Sequence, residues 1–478
     1  MISRRASTRL ITRRRAILGL TSAALTGLGS AKAIAADPPG NNIIAPPGLG
    51  GDDEPKTLLT IAGDDGSATT IIPEIAKNYL RFRGASGVTL TDADPPWTTQ
   101  VNGTMLNGQK VAILIRASSS TDGMSLLAAG MADIGLSLRE ARPNELPGFM
   151  NLTPAEAEHD VRAIALNAMQ LIVNKATKVN RLTFDEARGI FAGKITDWSA
   201  VGGKKGPIHR YGRAIDYRSS NLLGASMGNE TILPGLRVVS SYSAMRDSVA
   251  GDAQAIGYIP VNFIYHEHMS WAGQVEAVRF HLDNRLTAMP NEYGLATNDY
   301  PLVFPILLYR IPNRDNSEIE SFFAQAESVQ SHVIQMFAGL TPVTPRLLVP
   351  RFESDLPRPY GDITRNALRI STTVRFDPGS VRVTSRTKRS LDDLGSFLRR
   401  LDVSPQRLRH LAFAEETGNA DKNKEISDSL AAVFLRELRA RNVRVGETTG
   451  MGAILPLAAS TNPLGQWLNR RVETWATP

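Results

Sequence analysis

The chain has 478 residues, too many for one compact core, so two or three domains are expected. With 42% hydrophobic and 21% charged residues the composition is globular and excludes wholesale disorder; with no cysteine, it also excludes disulfides, thiolate metal sites, a cysteine nucleophile and a lipidated cysteine. The net charge of +7 does not describe a polyanion-binding surface: residues 1–36 carry seven basic side chains (Arg4, Arg5, Arg9, Arg13, Arg14, Arg15, Lys32) and no acidic one, so the remainder is neutral and a nucleic-acid partner is not expected.

At the amino terminus, Arg13-Arg14-Arg15 precede an apolar stretch from Ala16 to Leu28, and Ala33-Ile34-Ala35 offers a small-x-small cleavage pattern. The stretch is short and broken by glycine, serine and threonine, so residues 1–36 read as a cleaved export signal rather than a membrane span. Arg14-Arg15-Ala16-Ile17-Leu18 is similar to a twin-arginine signal, which implies export of a folded chain to the periplasm. Residues 37–56, rich in proline, glycine and aspartate, read as a linker.

From Thr57 short apolar runs alternate with helical periodicity. Leu58 to Ala62 predicts a buried strand, Gly63-Asp64-Asp65-Gly66-Ser67 a turn, and Ile71, Ile72, Ile75, Ala76, Tyr79 and Leu80 one face of a helix. Such a unit aims backbone N–H groups and the hydroxyls of Ser67, Thr69 and Thr70 at one point, an arrangement that attracts anions. It recurs: Val111 to Ile115, then Arg116 to Gly123 with Ser118, Ser119 and Ser120, then a helical stretch to Gly130. Ala132 to Leu138 is a further strand, ending in a loop with Ser137 and Arg139. Ligands bind at the carboxyl ends of strands in open α/β sheets.

The stretch from Ala163 to Arg213 carries Asn174, Leu182, Ile190, Phe191, Gly193, Trp198, Gly202 and Gly203 at the spacing of one family motif, and Ala255-Ile256-Gly257-Tyr258 and Tyr300-Pro301-Leu302 add further matches. On these residues, 57–340 resembles the phosphate-type (PstS-like) periplasmic substrate-binding family. The resemblance implies a two-lobed α/β fold with a ligand held between hinged lobes. It also implies a ligand set of Gly66, Ser67 and Thr69, Ser118 to Ser120, Ser137 with Arg139, and Arg213 with Ser219 and Ser220. Two departures stand out: Leu138 occupies the place of an aspartate, and Arg213 is followed by Ala214-Ile215-Asp216-Tyr217 instead of Ser-Gly-Thr. Phe191 and Trp198 read as core residues. His266 and His268 would share one face of a strand, but no third metal ligand is evident and no cofactor is expected.

Residues 341–362, with five prolines, read as a second linker. Beyond them, Leu368 to Ile370 and Val374 to Phe376 suggest strands, and Leu391, Leu394, Phe397, Leu398 and Leu401 a helical stripe. Leu408 to Phe413 is a strand, and Ile426, Leu430, Val433, Phe434 and Leu438 a second helix. This is a small α+β unit of β-α-β-α-β order. Phe376, Ser380, Gly418, Asn423, Ile426, Ser427, Ala431, Leu438, Asn442-Val443 and Asn469-Arg470-Arg471-Val472 stand where they do in the OmpA-like family, which 363–478 resembles. The resemblance implies peptidoglycan binding, with Glu415 at an aspartate position and Asn423, Arg470 and Arg471 assisting. Leu430 occupies the place of an arginine.

Taken together, the sequence predicts a periplasmic, wall- or outer-membrane-associated binding protein for a small oxyanion, phosphate foremost, with an ABC-type permease or another envelope protein as partner. The alternative is an envelope scaffold whose lobes have lost the small ligand and bind a protein. No nucleophile elbow or triad spacing points to an enzyme.

Overall fold

The computed structural model describes residues 54–142, 145, 161–213, 223, 224, 227, 235–266, 273–281, 287–311, 316–350 and 356–478. The expected export signal and most of the first linker lie outside them. No helix among the described residues is long and apolar enough to cross a membrane.

Strand β1 (Lys56–Asp64) leads into a short helix α1 (Asp65–Thr69) and then α2 (Ile71–Phe82). The apolar residues expected on one face of α2 are all buried, from Ile71 to Leu80. An antiparallel hairpin follows, β2 (Ser86–Ala93) and β3 (Thr98–Thr104). The sequence gives little warning of it, because β2 is exposed on both faces and has no alternation to read. Then come β4 (Lys110–Ser118), α3 (Ser120–Ala128) and β5 (Ile134–Ser137). The long strand β6 (Val161–Asn174) crosses to a second lobe.

That lobe holds β7 (Arg181–Leu182), α4 (Phe184–Phe191), β8 (His209–Arg213), β9 (Arg237–Val239), α5 (Tyr242–Gly251), β10 (Ala255–Pro260), α6 (Val261–His266), β11 (Val275–Ala277), β12 (Arg279–His281), β13 (Thr287–Ala288) and α7 (Glu292–Ala296). Thr183 and Glu186 close a reciprocal cap on α4, and Phe191 and Trp198 are fully buried, as expected. Strand β14 (Val303–Tyr309) returns to the first lobe, followed by α8 (Ser317–Ala326), α9 (Val329–Phe337) and β15 (Thr341–Pro342).

One sheet runs through both lobes in the order β2-β3-β4-β1-β5-β14-β6-β10-β8-β9. β1 is parallel to β4 and β5, whereas β14 lies antiparallel between β5 and β6. The two apolar cores divide in the middle of the crossing strands. Ile164, Ala165, Ile306 and Leu308 belong to the first, and Ala168, Met169 and Phe304 to the second. The expected two-lobed α/β fold is therefore present, and both crossings are strands within the sheet.

The remaining elements are β16 (Leu347–Leu348), α10 (Arg358–Thr364), β17 (Leu368–Ile370), β18 (Val374–Arg375), α11 (Ser385–Arg400), β19 (Leu408–Phe413), α12 (Ala420–Ala440), β20 (Glu447–Gly450), α13 (Pro463–Asn469) and β21 (Arg471–Ala476). Their sheet is ordered β16-β17-β21-β19-β20, with β18 also on β21. The stretch read as a second linker is partly built into both sheets: Thr341 pairs with Leu166, and Leu347 with Ile370. Two-residue strands carry no periodicity, so the sequence pattern misses them. The C-terminal domain also packs on the second lobe, whose core takes in Leu457, Ala458 and Leu468.

Candidate functional site

The carboxyl ends of β1, β4 and β5 are level with one another. Asp64 pairs with Ser118, and Gly63 with both Ala117 and Leu136, one residue before Ser137. This alignment depends on close backbone approach. Gly63 has φ +148°, and a Cβ there would stand 1.9 Å from the Leu136 carbonyl oxygen. A Cβ on Gly123 of α3 would meet the Ala62 carbonyl at 2.6 Å. Any side chain at either position would lift α3 or β5 away from β1.

Three turns stand above these ends, and the second and third are joined by hydrogen bonds. In the first, the buried Asp64 carboxylate accepts the Ser67 N–H at 2.8 Å and caps α1. Asp64 falls in the stretch read as a turn, and its capping role was not expected. Thr69 is exposed, and its hydroxyl donates back to the Asp65 carbonyl at 2.7 Å, so it does not face the other two turns. Gly66 is exposed beside it. In the second turn, Ser119 is the N-cap of α3: its hydroxyl accepts the Asp122 N–H at 2.8 Å, and the Asp122 carboxylate accepts the Ser119 N–H at 3.2 Å. The Ser120 hydroxyl accepts the Leu138 N–H at 3.1 Å and so joins the second turn to the third. Ser118 is half-buried, its hydroxyl 3.5 Å from the Ser119 carbonyl. In the third turn, fully buried Ser137 donates to the Arg139 carbonyl at 2.7 Å and accepts the Arg139 N–H at 3.2 Å.

Ser67, Ser118, Ser119, Ser120, Ser137 and Arg139 are thus brought to one end of one sheet. Arg139 also donates to the Thr121 hydroxyl at 2.9 Å, which sets its guanidinium over the N-terminus of α3. Its other contact was not expected: Glu145 takes it at 2.6 and 2.9 Å through both carboxylate oxygens. Burial pushes the Glu145 carboxyl up, but the Arg139 guanidinium and the Arg142 N–H outweigh it and hold it below the usual carboxylate range. Nothing in the sequence marks Glu145, because its role arises from a loop that turns back on Arg139. Leu138, half-buried, packs against the cores of both lobes.

On the second lobe, Arg213 ends β8 with its guanidinium 4.9 Å from the centroid of Tyr242, while its N–H donates to the Tyr258 hydroxyl at 3.2 Å. Ser219 and Ser220 lie outside the described residues. His266 closes helix α6 and is not on a strand, contrary to expectation; His268 lies outside the described residues.

In the C-terminal domain the expected wall-binding residues are mostly committed to internal bonds. Both oxygens of buried Glu415 accept from one Arg470 nitrogen, at 2.6 and 2.7 Å, and Arg470 also donates to the Ser380 carbonyl at 2.5 Å. Arg471 donates to Glu473 at 2.9 Å and to the Leu455 carbonyl, with its guanidinium 4.0 Å from the Phe413 centroid. Asn423 braces the turn before α12, accepting from Thr417 and donating to Glu416 at 2.8 Å. Leu430 is fully buried in the core.

A PBP superfamily domain model matches residues 80–324, more than half of the chain. The chain belongs to the PBP superfamily. Among curated proteins it is similar to phosphate-binding protein PstS 2 of Streptococcus agalactiae, 36% identical over 92 residues, which is 19% of this chain and 28% of that one. It is also similar to phosphate-binding protein PstS of Bacillus subtilis, 26% identical over 192 residues, or 40% and 57%. The matches thus span about a quarter to just over half of these relatives' lengths. Among solved structures, an ABC-type phosphate transport receptor from Vibrio cholerae aligns over 59% of this chain and 99% of its own, at 23% identity and TM-score 0.45.

Proposed function

We propose that the two lobes bind a small oxyanion, phosphate foremost, outside the cytoplasm, and act as a receptor rather than a catalyst. The convergence of Ser67, Ser118 to Ser120, Ser137 and Arg139 at the level ends of three parallel strands carries this reading. Hydroxyls, backbone N–H groups and a guanidinium at one point suit a tetrahedral anion. The printed names of the matching relatives support phosphate as the ligand and an ABC-type permease as the partner. Arg213 and Ser219–Ser220 complete the proposed site from the second lobe.

Titration calorimetry of the mature chain with phosphate and with sulfate tests this. Phosphate is expected to release or absorb heat and to stabilise the fold, by about 2.7 kcal/mol at a hundred times Kd. No heat and no thermal shift with either anion overturns it.

Attachment of the C-terminal domain to peptidoglycan is part of the same proposal. It is supported by the spacing of Asn469-Arg470-Arg471-Val472 and by 19 basic against 13 acidic side chains in residues 361–478. The buried Glu415–Arg470 pair and the apolar Leu430 weigh against a carboxylate-and-arginine clamp, so the proposed contact uses the basic surface instead. Co-sedimentation with purified peptidoglycan at low and high salt tests it. Salt-sensitive pelleting is expected, and no pelleting at low salt excludes attachment.

A further inference from the structure

The C-terminal domain touches both lobes, and the two contacts differ in kind. Against the second lobe it is fixed by buried groups. Arg369, 1% exposed, grips Asp299 at 2.6 and 3.3 Å and stands 3.5 Å from Glu473. Arg375 donates to the Asn298 carbonyl at 2.6 Å, and the Thr373 hydroxyl to the Thr297 carbonyl at 2.7 Å. Leu457, Ala458 and Leu468 complete the apolar core there. Moving the domain off this lobe would break the Arg369–Asp299 pair and expose the apolar contact to water.

Against the first lobe the contact is ionic and only half-buried, and Asp393 of α11 also stands within electrostatic reach of Arg162 and Glu327 of that lobe. Glu140 of the third turn takes Arg386 at 3.1 and 3.3 Å and Arg389 at 3.6 Å, both on α11. Arg386 and Arg375 both stack on Trp467, at 4.9 and 5.1 Å, so one indole links the half-buried contact to the buried one. Glu140 directly follows Arg139, and its carbonyl accepts from the Arg139 guanidinium at 3.0 Å. The lobes are otherwise joined through β6 and β14, and they meet at Leu138, two residues before Glu140, and where Gly339 packs against Asn262 and Tyr265 of α6.

We propose that the C-terminal domain is a strap across the hinge, welded to the second lobe and latched to the first by Glu140 with Arg386 and Arg389. Rotation of one lobe against the other carries α11 past Glu140 and must open the latch. The latch therefore favours the arrangement in which the lobes meet at Leu138, with Ser137 and Arg139 in place. Anion binding and latch closure support each other. The link to anion binding rests on the proposed function; the strap itself does not.

The test uses the full mature chain. The absence of native cysteine allows a spin-label pair at Leu106→Cys on the first lobe and Lys204→Cys on the second. Double electron–electron resonance is expected to give a broader and longer lobe-to-lobe distance in R386A/R389A than in the parent. The charge-swapped E140R/R386E/R389E is expected to restore the parental distribution. By calorimetry, R386A/R389A is expected to weaken phosphate binding threefold or more. An unchanged distance distribution in R386A/R389A overturns the strap. If the distances change while the parent chain binds no phosphate, the strap stands and the phosphate reading falls. If the distances change and phosphate affinity stays within twofold, the coupling to the anion site is overturned.

Discussion

Facing the second lobe, the C-terminal domain presents guanidinium groups that have left water altogether; facing the first, it presents the same chemistry still wet. Arg369 is sealed between Tyr293 and Trp475, with Asp299 only 13% exposed beside it, whereas Arg386 and Glu140 remain 46% and 37% exposed. Burial turns an ion pair into a fixture, because removing one partner strands the other in a low dielectric. Solvent leaves a pair reversible and salt-sensitive. The contrast separates what holds the domain on from what lets the lobes move.

The largest effect is expected for Arg369→Leu, which takes from Asp299 its nearest cation while Glu473 keeps Arg471, and should cost about 3 kcal/mol of unfolding free energy. Chemical denaturation reads this, and a loss below about 1 kcal/mol would mean that the network does not anchor the domain. Trp467→Ala removes the indole shared by Arg375 and Arg386 and should cost about 2 kcal/mol, since the ring is only partly buried. Next comes Glu145→Gln, which keeps the hydrogen-bonding shape on Arg139 but removes the competing charge. It should tighten phosphate binding about fivefold by calorimetry, roughly 1 kcal/mol. Looser binding would mean that Glu145 positions Arg139 instead of competing for it. R386A/R389A should change global stability by less than about 1 kcal/mol in the same denaturation assay, despite its effect on the hinge.

The smallest expected effect is one of pH. Burial pushes the Glu140 carboxyl up, but Arg386 and Arg389 outweigh it and hold it below its ordinary range. A depressed carboxyl contributes above its unfolded pKa and is lost as pH falls through its folded one. The latch should therefore be intact at neutral pH and open only at a pH below the ordinary carboxylate range, seen as lengthening lobe distances. Opening on raising the pH from 5 to 8 would contradict this sign.

How much of this was legible in the sequence follows from what each pattern can encode. Helix α2, strands β1 and β4, and the strand ending at Asn174 declare themselves through apolar periodicity and motif spacing. The serines brought to the sheet's end are legible because they cluster just after those strands. The hairpin β2–β3 is not, since exposure on both faces leaves nothing to alternate. Glu145, Glu140 and Arg369 are unmarked because their roles depend on partners 6, 246 and 70 residues away. The resemblance to the OmpA-like family singles out Arg470 and Glu415 as wall ligands, and only the fold reveals that each binds the other.

The position of β14 governs the order in which the chain can be completed. It lies between β5 and β6, so one edge of β5 lacks its partner until residues 303–309 leave the ribosome, well over a hundred residues later. The second lobe is nearly continuous in sequence, although Leu457, Ala458 and Leu468 join its core only later. The first must wait with an open edge, the kind of surface on which nascent chains pair wrongly. A chaperone that shields a strand edge during synthesis would spare this protein more than it would spare one whose lobes follow each other in order.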